Sequence, residues 1–103
     1  MNSESILFDG RLLEMPSEAP RCGDIKVAVA YRFDVQRLVK RTLGDTVVVV
    51  LIGCPDLLGE DFLAVNAVYL IEASRDLEHA GAYTIYNDYP DTEPLWVMGI
   101  TKQ

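Results

Sequence analysis

The feature that most constrains this chain is a run in which apolar residues alternate with polar or small ones. Ile25, Val27, Val29, Tyr31, Phe33 and Val35 take turns with Lys26, Ala28, Ala30, Arg32, Asp34 and Gln36. Successive side chains of a strand point to opposite faces, so a period of two predicts a strand with one buried and one wetter face. The small side chains Ala28 and Ala30 on the second face leave room for a neighbour to approach closely.

A strand needs partners, and the rest of the sequence offers several. Thr46 to Ile52 contains four consecutive valines, whose branched side chains favour extended backbone over helix. An apolar run of this kind points to burial on both faces. Ala67 to Ala73, Tyr83 to Tyr86 and Leu95 to Thr101 read as further strands. Ser5 to Met15 breaks at Asp9-Gly10, which is either a turn between two short strands or a bulge in one. The segment from Val35 to Leu43 fits a continued strand with a bulge near Leu38 that returns Val39 to the inner face, with a single helical turn as the alternative. Asp56 to Asn66 is expected to pack onto the core as a short helix or ordered loop, and Ser74 to Ala82 reads as a polar loop.

Five or six strands with little helix in 103 residues imply one mainly β domain spanning 1–103, a small antiparallel OB-like barrel. Closure would also remove the exposed edges that invite aggregation.

Charge narrows the function classes. The net charge is −7, and it resides in the second half. Residues 1–50 carry seven acids and seven bases, whereas residues 51–103 carry nine acids and only Arg75 and Lys102. Nucleic-acid binders need a surplus of Lys and Arg to displace counterions, so no nucleic-acid partner is expected, and attraction to anionic membranes is disfavoured likewise. The longest apolar run, Val47 to Ile52, has the length of a strand. The opening Met-Asn-Ser-Glu-Ser lacks the features of a secretory leader, and the cytoplasm is the default expectation.

Residues 31–74 resemble the core of the netrin-like module found in tissue inhibitors of metalloproteinases and in complement C-terminal domains. The likeness lies in Tyr-Arg-Phe-Asp-Val-Gln-Arg-Leu-Val-Lys, then Gly-Asp, Thr-Val-Val-Val-Val-Leu, a loop, and Val-Tyr-Leu-Ile-Glu-Ala. It implies a five-stranded OB-type barrel. The inhibitors begin with a zinc-chelating cysteine where this chain has Met-Asn-Ser, and only Cys22 and Cys54 stand for the module's cysteine set. Protease inhibition is therefore not implied.

Candidate chemistry is sparse. If strands 25–35 and 46–52 form a hairpin, Cys22 and Cys54 fall near one end of it, slightly out of register; a disulfide requires a loop or bulge to correct the offset. The expectation for a cytosolic protein is two unpaired, partly buried thiols, with the disulfide as the alternative. Cys54 with His79, the only histidine, lacks the third group that a nucleophilic pair requires. Asn87 to Glu93 has oxygen ligands suited to calcium but not the EF-hand spacing, and it reads as a solvated acidic turn. No metal or cofactor is expected. Tyr83, Tyr86, Tyr89 and Trp96, with Asp88 and Asp91, form the candidate ligand or partner surface, because aromatics with a polar handle suit surfaces that stay partly wet. Arg37, Lys40 and Arg41, set against the acidic second half, suggest self-association or a solvated hairpin tip. The function expected is a non-enzymatic binding or interaction module able to form a homodimer; the alternative is a small enzyme or small-molecule binder with a Tyr/Asp/Glu site at the barrel mouth.

Overall fold

The structure, a computed structural model, describes residues 5–40, 44 and 46–103. Six strands form one sheet: β1 (Ser5–Leu12), β2 (Val27–Lys40), β3 (Val47–Gly53), β4 (Val68–Ser74), β5 (Thr84–Tyr86) and β6 (Leu95–Lys102). Their order is β1-β4-β6-β3-β2-β5, and β1 also pairs with β2. That extra pairing closes five strands into an OB-like barrel and leaves β5 attached outside it. The β3–β6 and β2–β5 pairs are parallel and the others antiparallel. Two 3-10 turns complete the chain, Pro55–Leu58 and Glu78–Ala82. No helix among the described residues is long and apolar enough to cross a membrane.

Alternation fills the interior. Phe8, Val29, Tyr31, Phe33, Val48, Val50, Ile52, Tyr69, Ile71 and Leu95 all belong to one buried cluster. Leu58, Phe62 and Leu63, from the segment after β3, pack against it, as their apolar character predicts. The Tyr69 hydroxyl donates to the Phe62 carbonyl at 2.6 Å and accepts from the Ala64 N–H at 2.8 Å, so the buried tyrosine ties that segment to the barrel. In β6 the phase shifts at a bulge opposite Glu72 and Ala73. Leu95 and Val97 face the core before Met98, and Ile100 faces it after.

Several sequence expectations are decided or corrected. β2 begins at Val27 rather than Ile25, which is 65% exposed, because residues 22–26 bend back toward β3. The Asp9-Gly10 break is an irregularity within one strand, not a turn between two. Residues 35–40 are strand, with Gln36 and Val39 skipped in the pairing with β1. Val39 does not return to the inner face; it is 45% exposed, since β2 here runs past the end of β3 and loses its cover. Residues 41–43 lie outside the described part. The expected polar loop 74–82 contains a 3-10 turn, and Ser74 closes β4.

Cys22 and Cys54 form a disulfide, with a Cα–Cα separation of 5.3 Å. The expectation of two unpaired thiols is thereby corrected. Two local devices correct the register. The Cys54 N–H donates to the Val27 carbonyl at 2.8 Å, placing Cys54 opposite the start of β2 with a left-handed φ of 48°. The loop 22–26 then folds back so that the Val27 N–H reaches the Cys22 sulfur at 3.2 Å. Cross-links of this span, 32 residues apart, stabilise by about 3–4 kcal/mol through the unfolded state. The double variant Cys22→Ser/Cys54→Ser is expected to lose about that much in urea unfolding; an unchanged midpoint would show that the cross-link contributes nothing.

Candidate functional site

Barrel formation has a consequence for the outward residues of β2 and β3. Ala28, Ala30, Val49 and Leu51 make a small apolar patch on the outside, and Trp96 joins it from β6. Such a face cannot remain bare, and Ala80, Tyr83 and Tyr89 from the segment before β6 pack over it. The alanines matter here because a larger side chain would hold that covering segment away. Gly53 serves the same end: a Cβ there would lie 3.0 Å from the Tyr83 ring, so its absence lets the tyrosine rest against the strand.

The sequence-predicted aromatic surface is thus divided. Tyr83 and Trp96 meet, with ring centroids 5.1 Å apart, and both line a cleft of about 540 Å³. Tyr89 belongs to the same apolar layer but faces another group. The Arg32 guanidinium lies 5.2 Å from its ring centroid and donates to Glu14 at 2.6 Å. Tyr86 packs on the barrel core, on the far side of β2 from Trp96. Asp88 turns to Ser17, accepting from its N–H and from its hydroxyl, each at 2.9 Å. Those bonds, the backbone one foremost, hold the Asp88 carboxyl below its ordinary value. Asp91 is exposed and does not line the cleft.

The cleft adds residues that strand patterns did not single out. Lys26 comes from the approach to β2, Ser74 and Asp76 from the end of β4, Glu78 and His79 from the second 3-10 turn, and Met98 from the β6 bulge. The Lys26 ammonium lies 5.8 Å from the centre of the Tyr83 ring. Ser74 is spent locally, since its hydroxyl accepts from the Asp76 N–H at 3.0 Å. The result is an aromatic floor beneath a rim bearing both charges and an imidazole. A volume of this order lies in the range of small-ligand sites, which combine apolar walls with few polar groups. His79 was visible in sequence only as a candidate base for Cys54, and that pairing is excluded because Cys54 has no free thiol. Among the described residues no three His, Cys, Asp or Glu side chains gather as a metal site; in the 87–93 turn, Asn87 and Asp88 are engaged in bonds to Tyr89 and Ser17.

No family model, curated protein or solved structure matches this chain. The reading of its function therefore rests on fold and side chains.

Two tyrosine hydroxyls are shifted in the same direction. Burial, and after it the Asp56 carboxylate, pushes Tyr31 up to about 12. Burial, and after it the neighbouring Glu14, does the same for Tyr89, again to about 12. A raised folded value favours the neutral form, so this contribution to stability is complete below the ordinary value near 10 and is lost as pH climbs through about 12. Titration by tyrosinate absorbance is expected to show a late phase near pH 12 from these two side chains. In Tyr89→Phe the amplitude of that phase should halve; a full-size phase in the variant would contradict the assignment.

Proposed function

We propose that this protein is a non-enzymatic binding module whose site is the cleft between the second 3-10 turn and the start of β6. The observation that carries the reading is the convergence of Tyr83 and Trp96 beneath a rim of Lys26, Asp76, Glu78 and His79 around about 540 Å³. Aromatic floors supply contact area at small entropy cost, and charged rims supply orientation. The floor is supported from below by strands β2 and β3, which keeps it rigid without a ligand. The likeness of residues 31–74 to netrin-like modules enters the proposal as a shared architecture, a barrel presenting a binding surface, with no transfer of their inhibitory chemistry.

The same proposal places the protein in an oxidising compartment rather than the cytoplasm. A disulfide linking a long loop to the sheet persists where glutathione does not reduce it. Self-association is part of the reading as well: Leu38 and Val39 stand exposed beside Arg37 where β2, still paired with β1, runs past the end of β3, and an acidic second half elsewhere offers a complementary charge. Light scattering at low salt reporting a monomer at micromolar concentration would remove the self-association component.

The cleft is tested by amide chemical-shift mapping against a fragment library. Resonances of Lys26, His79, Tyr83 and Met98 are expected to move together on addition of aromatic fragments, and Tyr83→Ala should weaken that binding by about tenfold, the loss of one aromatic contact. Fragments that bind elsewhere and leave those four unmoved would refute the site. Intact mass under non-reducing conditions, taken on protein from its natural source, tests the compartment: a mass two hydrogen atoms below the reduced chain supports it, and the fully reduced mass opposes it.

A further inference from the structure

We infer that the barrel mouth is a second binding site, for a small uncharged molecule rich in hydroxyl groups, such as a saccharide unit. A cavity of about 360 Å³ opens between the loop leading to β2 and the turn after β3. Met15 and Leu63 give it apolar walls, and Arg21, Asp56, Glu60 and Tyr31 give it polar groups. None of these six lines the aromatic cleft, so the inference is independent of the function proposed there.

Tyr31 is the residue that points to a ligand. It is 2% exposed, its ring belongs to the barrel core, and yet it lines this cavity. The Asp56 carboxylate influences its hydroxyl through space, not through a hydrogen bond, and no hydrogen bond satisfies that hydroxyl among the described residues. The hydroxyl is not one of the fully enclosed unpartnered atoms, which are Arg32 Nε and Tyr89 Oη; it opens into the cavity, the direction from which a partner can reach it. The contrast with Tyr69 is informative, because that hydroxyl does not line this mouth and is bonded on both sides within the protein.

The lining selects the class of ligand. The Tyr31 hydroxyl, kept neutral, is a donor seeking an acceptor. Asp56 accepts from the Cys22 N–H at 3.0 Å and retains a second oxygen; Glu60 is a further acceptor. An ammonium group has no lone pair for Tyr31 and meets Arg21. A carboxylate meets Asp56 and Glu60. A hydroxyl group both accepts and donates, so adjacent hydroxyls on one carbon frame can satisfy Tyr31 and the carboxylates together. Their C–H faces can then cover Met15 and Leu63, an exchange that water in the cavity cannot make. The Cys22–Cys54 bond adjoins Arg21, Pro55 and Asp56 in sequence, and it holds both sides of the mouth at a set distance.

The test uses the oxidised full chain and three probes built on six-membered rings: methyl glucoside, cyclohexylammonium and cyclohexanecarboxylate. Amide shifts at Arg21, Asp56 and Glu60 are expected with methyl glucoside at millimolar concentration and not with either ion. Tyr31→Phe keeps the core ring and removes only the hydroxyl, and should weaken the glucoside by roughly tenfold, as one lost hydrogen bond does. Met15→Trp, at an exposed position, should abolish binding by filling the mouth, which covers the case of a poorly folding Tyr31 variant. Binding of an ion in place of the glucoside, no response to any probe, or unchanged affinity in either folded variant would overturn the inference. The resonances differ from those of the aromatic cleft, so failure at one site is distinguishable from failure at the other.

Discussion

Everything in this structure depends on β1 being hydrogen-bonded along both of its edges. Ser5–Arg11 pair with β4 while Leu7–Leu12 pair with β2, so β1 is the strand that turns an open sheet into a barrel. Its pairing with β2 requires two register shifts, because strands that bend around a small barrel cannot keep matched spacing. Gly10 stands at one of them, where a Cβ would lie 3.0 Å from the Phe8 ring. Opposite β1, the seam between β3 and β6 is paired only at Val50–Leu95 and Leu51–Trp96. Closure is thus strong on one side and sparing on the other, and the segment carrying Phe62 and Leu63 packs against the core that the barrel encloses.

Closure also decides which surfaces are free for binding. The outer face of β2 and β3 is apolar, and the chain covers it with Tyr83, Tyr89 and Ala80. Polar ties hold that cover down: Asp88 to Ser17, and Arg32 between the Tyr89 ring and Glu14. At the far end, Asp9 accepts from Arg37 at 2.7 Å and from the Gln103 side chain at 2.6 Å, joining the last residue of the chain to the first strand. The two proposed sites therefore lie at the margin of the cover and at the end of the barrel. Both sites use the Cys22–Cys54 region: Lys26 reaches the cleft from the loop after Cys22, while Arg21 and Asp56 flank the mouth from beside the two cysteines.

The β class and most strands were legible in sequence, because alternation and branched side chains are local signals. Val29, Tyr31 and Phe33 are buried together as the period of two requires, and the valine run is buried on both faces from Val48 onward. Ile25 failed because a covalent constraint outside the strand removed it from the sheet. Val39 failed because its burial depends on the length of β3, not on its own neighbours. The aromatic site was half legible: Tyr83 and Trp96 do converge, whereas Tyr86 and Asp91 lie elsewhere.

What the sequence by itself determined is the strand content, the amphipathic phase of β2, the acidity of the second half and the presence of two cysteines near one hairpin end. Those properties follow from side-chain chemistry and short-range periodicity. Tertiary structure alone decided which strands touch, that the cysteines bond, and that a lysine, a histidine and two acids meet over Tyr83. It also decided that Tyr31, indistinguishable in pattern from any core tyrosine, ends at an open mouth beside Asp56. The physical reason is that a barrel brings together residues far apart in the chain through closure and register, and neither quantity is written in any local stretch of sequence.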